Sequence, residues 1–210
     1  MPFTPEETIT SVERLRELLP KFASKNVSDK DMDHISDVAC RFIEMSPFVL
    51  LATKGADGRV AISPRGDPAG FVEVYDQKTL ILPDRLGNHR LDSFENILSD
   101  PAVGLIFIIP GHTETLRVSG LAQIVRDPQI QARHAVNGRE PALATVIEVE
   151  QVFMHCSKAF VRSSLWKSDT WAERRTAPTL ATWVKSAVPS DYTVDDLQDI
   201  HDDDATTRLY

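Results

Sequence analysis

Leu82-Pro83-Asp84-Arg85-Leu86-Gly87-Asn88-His89-Arg90 leaves an apolar run, turns at a glycine and enters a stretch with helical spacing. The run Thr79 to Leu82 reads as a strand. Leu91, Phe94, Ile97 and Leu98 recur at the helical period, which predicts a helix over 88–98 with Asn88 as its N-cap. The free N–H groups of a helix N-terminus make an anion site. Here the first turn would carry His89 and Arg90, the wrong sign for the helix dipole. Such a cation costs about 0.3–1 kcal/mol unless a bound anion offsets it. Arg65 and Arg85, each at a strand end, are expected to converge on the same place. Arg90 also has a plainer reading, exposure to solvent or a pair with Asp92 or Glu95. Residue chemistry leaves both open.

On either side the period is that of strands. Phe48 to Thr53 is a short apolar strand, 55–58 a turn, and Arg59 to Ser63 the hairpin partner. Pro64 to Pro68 is predicted irregular, because two prolines and a glycine bracket it. Phe71 to Tyr75 pairs with Thr79 to Leu82. Beyond the helix, Val103 to Ile109 reads as a fully buried strand, Glu114 to Val125 alternates, and Ala144 to Phe153 is the last strand. Helices are predicted around Val12, Leu15, Leu18 and Leu19, over 31–45 and 127–136, and over 158–165, 179–188 and 194–200. Hairpins without crossover helices disfavour a parallel sheet. They predict a small antiparallel barrel, mainly β within an α+β chain. The expected division is a helical extension over 1–45, the barrel over 46–166, and a C-terminal helical tail over 167–210 packed on the barrel.

The formal net charge of −8 supplies no general basic face, so no nucleic-acid partner is expected, although a local arginine cluster can still hold a small anion. Cys40 and Cys156 stand far apart and form no disulfide framework, which points to a reducing compartment. The N-terminal residues are acidic and lack the apolar core of a signal peptide, and no apolar run is long enough to span a bilayer. A cytoplasmic chain without a membrane partner is expected. His155 and Cys156 are adjacent, but zinc needs three or four ligands and no second such pair occurs, so no metal site is expected. Hydrolase, P-loop and dinucleotide signatures are absent.

Gly87-Asn88-His89-Arg90, the helix after it, Asn96-Ile97-Leu98-Ser99-Asp100-Pro101 and the strand from Val103 resemble, in that order, the phosphate segment of pyridoxamine 5′-phosphate oxidases. The core from about Phe48 to Trp166 is similar to one branch of that superfamily. There Ser63-Pro64-Arg65-Gly66-Asp67-Pro68, Leu82-Pro83-Asp84-Arg85, Glu114-Thr115-Leu116-Arg117-Val118 and His155-Cys156-Ser157-Lys158-Ala159-Phe160 recur together. The resemblance implies a split β-barrel that binds FMN at the interface of a homodimer. It implies Asn88, His89 and Arg90 on the phosphate, joined by Arg65, with Ser63 also at the cofactor. Leu82 and Pro83 would lie beside the flavin, and Thr115 would stand where the family directs a glutamine at it. Arg117, Lys158 and Trp166 would reach a cofactor shared with the second subunit. The oxidases' C-terminal Arg-x-His element has no counterpart after Trp166, so vitamin B6 oxidation is not implied.

The expected function is that of an FMN-dependent oxidoreductase, passing hydride to or from a small organic substrate. The sequence identifies neither that substrate nor a catalytic side chain. It leaves open a non-catalytic flavin- or haem-binding carrier or sensor on the same barrel, and a deazaflavin in place of FMN.

Overall fold

Ser11 and Ser36 start two helices by the same device, a hydroxyl that accepts the backbone N–H three residues on, from Arg14 and from Ala39. The computed structural model describes residues 3–173 and 176–210. It divides into two compact units, Met1–Asp31 and Met32–Tyr210. In the first, α1 (Val12–Leu18) and α2 (Lys25–Ser28) contain no buried residue. Glu7 and Glu17 both pair with Arg14 there.

The second unit holds the remaining elements. Its first helix, α3 (Asp37–Met45), is shorter than the predicted 31–45. The residues before Ser36 find their hydrogen bonds elsewhere. Met32 exchanges both backbone bonds with Val152, and the Ile35 N–H donates to the Gln77 carbonyl. With the Ser36 cap competing as well, the helix cannot start earlier.

Seven strands follow: β1 (Phe48–Lys54), β2 (Val60–Gly66), β3 (Glu73–Asp76), β4 (Thr79–Pro83), β5 (Ala102–Ile108), β6 (Thr115–Val125) and β7 (Ala144–His155). They form one antiparallel sheet in the order β2-β1-β5-β6-β7-β4-β3. This is the expected split antiparallel barrel in an α+β chain. The sheet does not close, and β2 and β3 remain as its edges. Helix α4 (Asp92–Ser99) packs on β1, β6 and β2. Beyond it come α5 (Pro128–Arg133), α6 (Lys158–Ser163), α7 (Leu180–Ala187) and α8 (Val194–Thr207). No helix among the described residues is long and apolar enough to cross a membrane.

Two strands differ from the sequence reading. β2 runs through Pro64 to Gly66, where an irregular segment is predicted, and Pro64 sits opposite Leu50. An edge strand tolerates proline because one of its sides has no ladder to supply. β5 is not buried on both faces. Val103, Leu105 and Phe107 are in the core, while Gly104, Ile106 and Ile108 are only half-buried on the other side.

The inner face is built of cross-strand rows. Val49, Phe107 and Leu116 form one and Leu51, Leu105 and Val118 the next, all buried. At β2 these rows end on Arg65 and Ser63, opposite Val49 and Leu51. A bulge leaves Glu150 unpaired, so that Val149 and Val152 both face inward. Gly120 faces this bulge. A Cβ there would lie 1.9 Å from the Glu148 carbonyl oxygen, inside backbone rather than a movable side chain. Gly120→Ala should therefore lower the unfolding free energy by at least the ~1–3 kcal/mol typical of overpacking, read as a lower denaturant midpoint. An unchanged midpoint would contradict the tight crossing.

Candidate functional site

The segment after β4 meets the edge strand β2, and side chains from both line one cleft. Arg65 comes from β2 on the inner face. Its Nη2 donates to the Ser93 hydroxyl at 3.2 Å and its Nη1 to the Pro64 carbonyl at 3.2 Å. Ser93, buried in the first turn of α4, donates in turn to the Ser63 hydroxyl at 3.2 Å. Arg65 is half-buried at the end of an apolar row and forms no ion pair among the described residues. Burial pulls its pKa down, opposed by the charge of Asp84. Asp84 shows the converse, its pKa raised by burial against the lowering pull of Arg65, a hydrogen bond from the Arg85 backbone, Arg85 and His89.

Arg85 has a different fate. Its Nε lies 2.6 Å from the buried Asp67 carboxylate, and its Nη1 donates to the His134 carbonyl at 2.8 Å. Asp67 therefore takes up its charge. Arg90 is exposed and pairs with Asp92 at 2.8 Å, the plainer of the two sequence readings.

The start of the helix also differs from expectation. α4 begins at Asp92, and its N-cap position is Leu91, in the left-handed region with φ 59°. Asn88 instead accepts the Arg90 N–H on its own side chain at 3.1 Å, a local turn that competes with helix. The first turn carries Asp92 and Glu95, which suit the dipole, so the dipole conflict inferred for His89 and Arg90 does not arise. His89 is left-handed too, with φ 57°. Left-handed residues of this kind accompany the backbone concavities that gather N–H groups around anions.

One cleft of about 660 Å³ gathers Ser63, Arg65, Pro83, Asn88, His89 and Arg90, together with Asp84 and Ser93. The other sequence-predicted residues lie elsewhere. Leu82 is in the core and Thr115 is buried at the start of β6. Arg117 lies on the outer face, 5.1 Å from the Phe153 ring centroid. Lys158 is exposed at the start of α6. The Trp166 ring stacks on Phe160, and its Nε1 donates to the His112 carbonyl at 2.7 Å. No group of three or more His, Cys, Asp or Glu side chains that could hold a metal occurs among the described residues. Sequence reasoning missed Ser93. Its signal was a small polar residue four positions before Ile97, on the face that α4 buries.

The model of the pyridoxamine 5′-phosphate oxidase family matches residues 35–156, more than half of the chain. This protein belongs to that family. The matched region runs from the start of α3 to the end of β7 and includes every residue of the cleft. No curated protein matches the chain. Among solved structures it is similar to HupZ of Group A Streptococcus, at 19% identity over 57% of this chain and 93% of that one, with a TM-score of 0.48. It is similar also to a general stress protein 26-related protein of the pyridoxinephosphate oxidase family from Clostridium acetobutylicum, at 16% identity over 55% and 83% (TM-score 0.43). A third likeness is to HutZ, the haem storage protein of Vibrio cholerae, at 14% identity over 58% and 93% (TM-score 0.41).

The raised pKa of Asp84 sets the sign of a pH effect. The folded chain holds this proton more tightly than the unfolded chain, so the contribution to stability is lost as pH rises from the ordinary value of 3.8 through the folded pKa. The same protonation removes a negative charge beside Arg65. Sulfate, whose own charge is constant over this range, should bind more tightly as pH falls through the Asp84 transition. Asp84→Asn should bind it more tightly at neutral pH with a flatter profile, as isothermal titration calorimetry can measure. Weaker binding by Asp84→Asn would contradict this.

Proposed function

We propose that the cleft holds the phosphate end of FMN and that the chain is an FMN-dependent oxidoreductase. One observation carries the reading: Arg65 is half-buried and, among the described residues, has no carboxylate at ion-pair distance, Asp84 acting on it only through its nearby charge. A guanidinium so placed is stabilised by an anion, and a phosphate accepts its paired N–H groups in the plane they define. The cleft volume of about 660 Å³ lies within the range of cofactor and ligand pockets. The exposed Arg90–Asp92 pair contributes little in water, so an entering dianion can take Arg90 over at small cost. Ser93 fixes Arg65 from one side, while Asn88 shapes the turn that presents His89 and Arg90. Bound FMN would supply the hydride chemistry, and the chain supplies orientation and charge. Asp84, beside the cations, limits how much negative charge the cleft accepts.

The same reading includes a symmetric dimer. The outer sheet face is apolar along the row Pro64, Leu50, Ile106, which ends on Arg117, and along Ile62, Ala52, Gly104 beside it. Ile62 is 65% exposed. Self-association over this face would cover it and bring Arg117, Lys158 and Trp166 toward the partner's cofactor. Ile106→Glu should convert the dimer to monomer in sedimentation velocity; a wild-type chain that sediments as a monomer would contradict the assignment.

FMN binding is read by quenching of flavin fluorescence. Arg65→Ala should weaken it roughly 30-fold or more, the ~2 kcal/mol lower bound for removing one partner of a desolvated charged hydrogen bond. Arg90→Ala should weaken it severalfold. A wild-type chain that leaves added FMN unquenched would defeat the reading, and a haem spectrum in the purified protein would replace FMN with haem. Anaerobic reduction of bound flavin by NADH or NADPH separates an oxidoreductase from a carrier.

A further inference from the structure

Asp67 is a buried carboxylate, its side chain 2% exposed, and both its oxygens are engaged. Oδ2 accepts Arg85 at 2.6 Å, and Oδ1 accepts the hydroxyl of Tyr210, a residue 143 positions away in the chain. The Tyr210 carbonyl accepts Arg139, and the Arg85 guanidinium lies 5.8 Å from the Tyr210 ring centroid. Arg85 also reaches the His134 carbonyl. The end of β2, the segment after β4, the residues following α5 and the residues following α8 are thus linked through Asp67, Arg85 and Tyr210. A recess of about 750 Å³ beside this junction and α8 is lined by 85–89, a stretch that also lines the candidate cleft. Tyr210 is fastened to the start of that stretch through Asp67 and Arg85.

We propose that Tyr210 is a positioning residue for the cleft: by donating to Asp67 it fixes Arg85, and the strap 208–210 so formed holds the segment 84–91 in the shape that receives the anion. Tyr210 is not among the residues that line the cleft, and its effect passes through Asp67 and Arg85. The hydrogen bond to Asp67 is the largest of the influences that raise the tyrosine's pKa, so the hydroxyl retains the proton it donates. The effect on cofactor retention rests on the flavin reading above; the effect on the segment does not.

The test uses the full chain and Tyr210→Phe, which keeps the ring and removes the donor, with deletion of 208–210 as a second variant. Hydrogen exchange of the 84–91 amides without ligand is measured alongside FMN affinity. Exchange should quicken about tenfold and FMN affinity fall about tenfold, as loss of a hydrogen bond to a charged group implies. In an Asp67→Ala background Tyr210→Phe should have no further effect, which a purely packing role for the ring would not produce. Unchanged exchange in both variants overturns the strap, whatever FMN does. Faster exchange with unchanged FMN affinity overturns its link to the cleft. If the wild-type chain ignores FMN, the exchange measurement still decides the strap, and it is the flavin reading that has failed.

Discussion

Arg65 ends a row of core residues on an edge strand, so the backbone that pairs β1 with β2 also draws a guanidinium out of water. A desolvated charge is costly unless it is paired and hydrogen-bonded. The chain meets part of that need with two neutral acceptors, the Ser93 hydroxyl and the Pro64 carbonyl, and no carboxylate among the described residues lies at ion-pair distance. Much of the site follows from this. Ser93 is buried because α4 must cover the end of the row, and Ser63 is hydrogen-bonded because it lies in the neighbouring row. Asp84 carries a raised pKa because it shares the same partly dry space.

Arg85 provides the contrast. It is also shielded from water, yet its charge is met by Asp67, and that pair is tied to the His134 carbonyl and to Tyr210. One arginine is therefore used to build the wall and the other is left with its charge facing the cleft. The open seam of the sheet makes this possible. A closed barrel would place a ladder of backbone bonds between β2 and β3. Here β2 is met by side chains of α4 and of the segment after β4, whose backbone takes left-handed turns at His89 and Leu91. Such turns cost of order 1–3 kcal/mol each and persist where the surroundings over-determine them.

The barrel was legible because period-two alternation and short turns mark hairpins directly, and every predicted strand is found with small shifts in its ends. The candidate site was legible only in part, since Leu82, Thr115, Arg117, Lys158 and Trp166 lie outside the cleft that the other residues named from the sequence line. Ser63, Arg65, Pro83, Asn88, His89 and Arg90 share one cleft, but the helix expected to begin at Asn88 begins at Asp92. Asn88 can cap a helix or close a local turn with similar bonds, and its sequence neighbourhood does not decide between them. Pro64 misled for a related reason, since its tolerance depends on β2 being an edge and edges are set by tertiary order. The Asp67–Tyr210 contact had no local signal at all, because its partners are 143 positions apart.

The most direct measurement is a crystal structure of the full chain grown with FMN. Phosphate density bonded to Arg65, with Arg90 swung from Asp92 onto the same group, is the expected result. Density for the phosphate away from this cleft, with Arg65 still bonded only to Ser93 and Pro64, would contradict the assignment of the half-buried guanidinium as an anion receptor.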